Sequence, residues 1–558
     1  MKQFFRNLIW IGLIGLIGFG LGRVYFRTSF PYTHDGENHL ARFANYKLAL
    51  KEGQFPPRLA PNLLNHFTYP VLNFNYPLAN ILSLPLSFLK LNYELSFKLI
   101  ALTALLVLGV SSHQWLKSLG FSKSAGIFSL LGLFSAPFLV NIVWFRGNIG
   151  ELLALALFAT GLWLTESWSQ SPQKTYYLWW LGLTGVGVLL AHNLAALMIG
   201  PILLLYGLHS GSWRNRLKLL LVWGLAGGLC LWFWLPAIAE KSSIVLDDAK
   251  FFQEYSGYFV TFSQLLTAPL EFGFVFPGSI SGLNLSLGAL SLLIIALSLI
   301  WGSLKLREKL QTPKSWLRST LLLILVLGLI FFQTKFSLNW WQSFPVLKYL
   351  QFPWRLTLPL IVLILPLMAY WWQWASERRV NWLKLLLMSL LLGQFWPLFQ
   401  LRAADYFHKT VVDYDAYGQT TSTMNENLPK GFRFIEFGDW QPTPQILQGA
   451  GNISVQSWSG TRRRYTLTLT QPSLIVEPSI VWLGFETHAN SHQVNYIDSD
   501  QIQGRLAYEL PAGQYQVITQ FTQNTWPRRI GNGVSLTVLL GLMGWVFWKF
   551  WLIRQCKK

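Results

Sequence analysis

The chain has 558 residues, of which 52% are hydrophobic, 16% aromatic and only 12% charged, where a soluble globular domain carries roughly 25% charged residues. That balance excludes an ordinary soluble protein, and windows of about 20 apolar residues recur along most of the length, as in a polytopic α-helical membrane protein. The formal net charge of +20, from 44 basic and 24 acidic residues, would suggest nucleic acid in a soluble chain; here it fits cytoplasmic loops and anionic headgroups, and no nucleic-acid partner is expected.

In chain order, Lys2 and Arg6 precede a first apolar run over about 8–24. It lacks a small-residue cleavage site and reads as an uncleaved span with a cytoplasmic N-terminus. The first outer loop, 25–94, opens on His34-Asp35-Gly36-Glu37-Asn38-His39 and continues into an amphipathic helix over about 40–50. Gln54-Phe-Pro-Pro-Arg58 and the stretch Tyr69–Tyr76 are dense in Pro and Asn and predict ordered loop. The run Tyr76–Leu91 is apolar but interrupted by Pro77 and Pro85. Counting it as a span would invert every later loop and break the positive-inside rule, so it reads as a juxtamembrane or re-entrant helix. Spans then follow at about 95–116, 124–142, 148–165, 176–191, 194–209, 217–235, 283–303, 318–332, 353–374, 383–400 and 533–553, about 12 with the first. The inside ends gather Lys117, Lys123, Arg214, Arg216, Arg378 and Arg379 among many bases, against Glu166, Glu308 and Glu377.

Between the last two spans lies one soluble-looking stretch. The runs Tyr465–Thr470, Ser479–Phe485 and Leu510-Pro-Ala-Gly followed by Gln514–Thr519 alternate as strands do, and predict a small extracytoplasmic β-sandwich-like domain. The expected organisation is a membrane domain over 1–400, a β-rich domain over 401–531, and a last span with a basic cytoplasmic tail over 532–558. The two cysteines, Cys230 in a span and Cys556 in the tail, offer neither a disulfide nor a Cys-based metal site. P-loop, Gly-x-Ser-x-Gly and His-Glu-x-x-His signatures are absent from the sequence.

The unusual polar residues fall at the outer ends of spans. Asp35, Glu37, His34 and His39 suit a general base or a divalent-cation site at the membrane edge; alternatively Asp35 caps the helix that starts near Gly36. Arg146 and Arg355 suit phosphate binding, because a guanidinium stays charged and forks onto phosphate oxygens; Arg355, after Phe-Pro-Trp, also suits snorkelling. Glu151, one turn into a span, is costly unless paired or functional, and Arg146 is its structural partner. His192-Asn193 interrupts an apolar run, where a polar pair lines a cavity or satisfies a helix break. Asp247-Asp248 reads as a solvated loop, with a share in a metal site as the alternative.

Taken together, Thr33-His34-Asp35-Gly36 with His39, Tyr76-Pro77, Arg146-Gly147 with Glu151, His192-Asn193 and Gln351-Phe-Pro-Trp-Arg355 resemble the bacterial 6-pyruvoyl-tetrahydropterin synthase-related membrane proteins over most of residues 1–400. That name implies no pterin chemistry. The order of outer loops also resembles the GT-C glycosyltransferases. The GT-C resemblance implies a polyprenyl-phosphate sugar donor and a glycan, lipid or protein acceptor on the outer face of the cytoplasmic membrane. Asp35, with Glu37 beside it, would be the catalytic first-loop carboxylate or the ligand of a divalent cation (Mg or Mn). Arg146, Arg355 and Lys335 would hold the donor phosphate, and His34, His39, Glu151, His192 and Asn193 would line the cavity. Two departures stand out: Gly36 separates Asp35 from Glu37, and the second loop offers Arg-Gly-Asn rather than a clear Asp. Rival readings are a transporter or flippase of lipid-linked saccharides, which calls for polar residues at mid-depth and repeated halves, and a non-catalytic assembly or polymer-binding protein working through its β-domain.

Overall fold

Prolines and glycines cut the apolar runs into shorter and bent helices, because proline removes a backbone donor and clashes with the preceding turn. A computed structural model describes residues 2–209, 212–248, 254–267, 269–277, 282–309, 313–422, 425–433 and 442–555. Against about 12 expected spans, five helices there are long and apolar enough to cross a membrane: Tyr93–Ser118, Ile149–Gln170, Trp213–Ser243, Asn381–Gln400 and Trp526–Lys549. Three bent pairs raise the count to eight at most, with breaks of 53° before Pro137, 89° before Lys335 and 42° before Leu365. Most of the other expected spans are apolar helices of 10–17 residues, among them Tyr176–Ala191 and Asn193–Leu208, which meet at the His192 break. The Leu78–Phe88 helix has 11 residues and contains Pro85; at about 16 Å it is too short to cross.

The chain forms two compact units. The first comprises Met1–Glu37, Ile81–Ala226 and Lys250–His408; the second comprises Asn38–Asn80, Gly227–Ala249 and Lys409–Lys558. Within the first unit the Tyr93–Ser118 and Ile149–Gln170 helices pack side by side, flanked by Lys2–Leu21 and Tyr176–Ala191. A short ribbon, β1 (Phe30–Pro31) against β2 (Tyr406–Phe407), ties the loop after the first helix to the segment after the Asn381–Gln400 helix. Lys98 reinforces that loop by donating to the carbonyls of Arg27, Thr28 and Ser29 at 2.8–3.0 Å.

In the second unit the amphipathic helix, expected over 40–50, runs Gly36–Lys51 with its first two residues in the other unit. The expected strands form two antiparallel sheets. One joins β3 (Gln445–Gln448), β6 (Ser473–Ile480) and β9 (Arg505–Leu510) in the order β3-β6-β9. The other joins β4 (Gly451–Trp458), β5 (Arg462–Leu469), β7 (Phe485–Ala489), β8 (His492–Gln493) and β10 (Gly513–Phe521) in the order β4-β5-β10-β7-β8. The run Ser479–Phe485 is not one strand. It is the end of β6, a turn through Gly484 at φ +97°, and the first residue of β7, because only glycine takes that backbone without strain.

The sheets meet on a polar core. Glu477 of β6 accepts from Arg463 Nη1 at 2.7 Å and from Tyr465 at 2.7 Å on β5, and from Thr519 on β10. Tyr465 also bonds Tyr508 of β9. Glu477 and Arg463 are fully buried, so each charge depends on the other. Burial and the Glu477 charge hold both tyrosines well above the usual range; the Tyr508 phenol adds to this for Tyr465, whereas the hydrogen bond with Tyr465 opposes it for Tyr508. Glu477→Ala should cost about 3–5 kcal/mol of stability by stranding Arg463, while Glu477→Gln, which keeps the accepting oxygen, should cost less; thermal unfolding of the purified variants separates the two.

Candidate active site

The first-loop cluster and the loop before the Ile149–Gln170 helix are joined by backbone. His34 N–H donates to the Phe145 carbonyl at 3.0 Å, and Asp35 N–H to that of Arg146 at 2.8 Å. The second loop reaches this position by a π-helical turn, Asn141–Arg146, that ends on Gly147 at φ +59°. A Cβ on Gly147 would sit 2.3 Å from Thr33 Oγ1, so glycine is required both for conformation and for the approach of the two loops. The capping expectation for Asp35 is not what the geometry uses. Gly36 N–H at the helix start donates to Thr33 Oγ1 at 3.1 Å.

Asp35 instead turns to the second loop. Its Oδ2 accepts from Asn148 Nδ2 at 3.0 Å and lies 3.9 Å from Arg146 Nη2. Asn148 serves twice, because its Oδ1 caps the Ile149–Gln170 helix by accepting Glu151 N–H at 2.9 Å. One side chain thus fixes Glu151 and Asp35 together.

Glu151 anchors the charges. Arg146 forks onto it, Nη2 to Oε1 at 2.9 Å and Nη1 to Oε2. Arg355 Nε and His192 Nε2 stand 3.7 Å and 3.9 Å from Oε1, beyond a good hydrogen bond but within strong Coulomb range. His192 is aimed by its own cap: Nδ1 accepts Ala195 N–H at 3.3 Å, which leaves the proton of the neutral ring on Nε2, toward Glu151. Arg355 donates to Gln351 Oε1 and to the Leu350 carbonyl. Trp354 stacks flat on Phe352, with centroids 5.2 Å apart at 4°, and carries Arg146 5.5 Å from its ring centre.

The side chains of Arg146 and Glu151 are 5% and 2% exposed, but that of Asp35 is 31% exposed. A tethered carboxylate therefore opens outward beside a buried, paired set of charges. Next to it the His34 ring lies on Phe274, at 4.2 Å and 13°, with Phe272 edge-on at 4.7 Å. Burial pushes the His34 pKa down to about 4, with the Arg146 charge adding and Asp35 opposing, so the ring is neutral at physiological pH.

The other expected site residues are more dispersed. Glu37 is half-buried on the first turn of the Gly36–Lys51 helix. His39 is buried in the second unit, 5.9 Å from the Tyr76 ring. Asn193 is half-buried at the first position of the Asn193–Leu208 helix. Lys335 is exposed on a 3-10 turn after the Pro313–Gln333 helix. The site uses Asn148, Thr33 and Trp354, which sequence reasoning passed over as site residues; the signal for Asn148 was legible as an N-cap three residues before Glu151. The geometry around Asp35 is that of a carboxylate held by donors. Its neighbours there are an amide N–H and a guanidinium, both donors, and among the described residues no three His, Cys, Asp or Glu gather as a metal site.

Glu151→Ala should lower stability by about 3–5 kcal/mol, since it leaves the Arg146 charge buried without its carboxylate; thermal unfolding and membrane yield report this. The folded His34 pKa of about 4 lies below the ordinary 6.5, so the unfolded chain takes up that proton first. Its contribution to stability is complete above about pH 6.5 and falls as pH drops toward about 4. Melting curves across that range should decline less steeply in His34→Phe than in the wild type.

Over residues 72–401 the chain matches the family described as 6-pyruvoyl-tetrahydropterin synthase related domain, membrane protein. It is 25% identical over 233 residues to an uncharacterized protein of Lactococcus lactis subsp. cremoris (strain MG1363), a match covering 39% of this chain and 38% of that protein. Among solved structures it is similar to the arabinofuranosyltransferase AftD from Mycobacteria, with a TM-score of 0.46 and 13% identity over 71% of this chain and 27% of that one; a likeness of this size establishes neither fold nor activity. The family match takes in more than half of the chain, including Arg146, Glu151, His192 and Arg355, and the chain belongs to the 6-pyruvoyl-tetrahydropterin synthase related family of membrane proteins.

Proposed function

We propose that the protein is an integral membrane glycosyltransferase that moves a sugar from a polyprenyl-phosphate donor to an acceptor hydroxyl on the outer face of the cytoplasmic membrane. The observation that carries this reading is the unequal burial of one charge cluster: Glu151 and Arg146 are sealed and paired, while Asp35, held through one oxygen, is accessible. A carboxylate aimed by neighbours and open on one side is the arrangement a general base needs.

In this reading the Asp35 carboxylate takes the proton of the acceptor hydroxyl. The hydroxyl oxygen bonds to the anomeric carbon of the donor sugar. The bond from that carbon to the phosphate oxygen breaks, and its electron pair leaves with the polyprenyl phosphate. Arg355, together with Arg146, supplies positive charge to the departing phosphate. Glu151 does no chemistry; it keeps two guanidinium groups and His192 in place. Neutral His34 and the Phe272 and Phe274 rings form a low-charge wall beside the base. No metal takes part in this scheme. The acceptor is a glycan, a lipid or a protein hydroxyl.

Asp35→Asn should lower sugar transfer from polyprenyl-phosphate donors by about 100-fold or more and leave donor binding unchanged. Arg355→Gln should weaken donor binding. Transfer that survives Asp35→Asn removes Asp35 from the mechanism. If reconstituted vesicles instead move the lipid-linked sugar between leaflets without transferring it, the flippase reading replaces this one.

A further inference from the structure

The Pro313–Gln333 helix ends at the level of the charge cluster. Gln333 Oε1 accepts the Thr357 hydroxyl at 2.8 Å, and its carbonyl accepts Val260 N–H at 2.8 Å. Thr357 opens the helix that follows Arg355. Beyond Gln333 the chain turns by 89° into Lys335–Ser343 and continues through the 3-10 turn Pro345–Leu350. The turned segment therefore does not continue along the axis of the Pro313–Gln333 helix.

Its two faces differ. Inward, Trp341 is 1% exposed, stacks on Tyr255 at 5.4 Å and 24°, and donates Nε1–H to the Phe332 carbonyl at 3.1 Å. Outward, Phe336 is 87% exposed, and Trp340, Phe344 and Val346 are exposed with it. Lys335 and Lys348 lie near the two ends of this apolar face. Aromatic and basic side chains together, on a segment at right angles to a span, have the chemistry of the headgroup boundary: rings sit among the upper acyl chains and ammonium groups face lipid phosphate. A protein partner would meet four bulky apolar groups with two cations beside them and no acidic residue between Lys335 and Arg355; that charge complements an anionic lipid surface.

The segment also leads into the site. The Leu350 carbonyl and Gln351 Oε1 both accept from Arg355 Nη1, and Gln351 makes the turn at φ +66°. We propose that Lys335–Leu350 lies in the plane of the membrane boundary, with its aromatic face among the acyl chains, and that Lys335 and Lys348 collect a lipid phosphate headgroup for delivery to Arg355. The first half stands on the bend and the exposed rings alone; the delivery step rests on the glycosyltransferase reading.

The test uses the full chain in vesicles. A fluorophore on Val346→Cys, with Cys556→Ser and the buried Cys230 left in place, should be quenched by phosphatidylcholine labelled high on its acyl chain and not by an aqueous quencher. Aqueous quenching alone overturns the membrane placement. Retention of undecaprenyl phosphate, counted by native mass spectrometry, should fall by about fivefold for each lysine removed, or on the order of 25-fold in Lys335→Gln/Lys348→Gln, with phosphatidylcholine unchanged. Equal retention by wild type and double variant overturns the phosphate role and leaves the Asp35 reading standing. Loss of phosphatidylglycerol and undecaprenyl phosphate in equal measure overturns delivery of the donor, since the lysines then serve only bulk anionic lipid. Failure of the glycosyltransferase reading would look different: no transfer from any donor, with lipid retention intact.

Discussion

A carboxylate one turn inside an apolar helix is tolerated only if its charge is met on the spot. Glu151 is met by Arg146 in a two-pronged pair, and the rest of the site follows from that contact. The pair sets where the second loop ends, since Arg146 closes a π-helical turn and Gly147 must then take a left-handed backbone against Thr33. It fixes Asp35 through Asn148 and Arg146. It also draws Arg355 and His192 from two other helices to the same oxygen. The Glu151, Arg146 and Arg355 charges stay together because leaving any of them alone in an apolar surround costs several kcal/mol.

The second unit uses the same device twice. Arg463 and Glu477 bind the two sheets through their shared core. Arg528, at the start of the last helix, forks onto Glu240, which also accepts from Asn73 and Thr525. In each case the arginine and the glutamate are almost fully buried. Such pairs add little net stability over an apolar core, but they punish wrong arrangements heavily. In this unit they specify which sheet faces which and which helix meets the last one.

The cluster at Asp35 differs from these in one respect that matters for chemistry: it is incomplete toward solvent. Arg463–Glu477 and Arg528–Glu240 are closed in by hydroxyls and carbonyls, whereas Asp35 has one tethered oxygen and an accessible face. The aromatic wall of His34, Phe272 and Phe274 adds no net charge beside it.

The amino-acid order alone determined the class, because charge content and apolar run length reflect the solvent directly and need no long-range contact. It also placed the helix break at His192, the β-rich region with two of its strands, and the polar residues that gather at Glu151, all of which show as local departures from an apolar background. The tertiary structure decided what local pattern cannot carry. Among the described residues, five helices, or up to eight with the bent pairs, are long and apolar enough to cross, beside shorter apolar helices whose placement depends on their neighbours. Asn148 became the link between Asp35 and Glu151, Arg355 came to stand beside the Glu151 carboxylate, and Lys335 was set on a turned segment apart from the buried pair. Those outcomes depend on which loops touch, and the nearest-neighbour chemistry of a sequence holds no record of residues more than a hundred positions away.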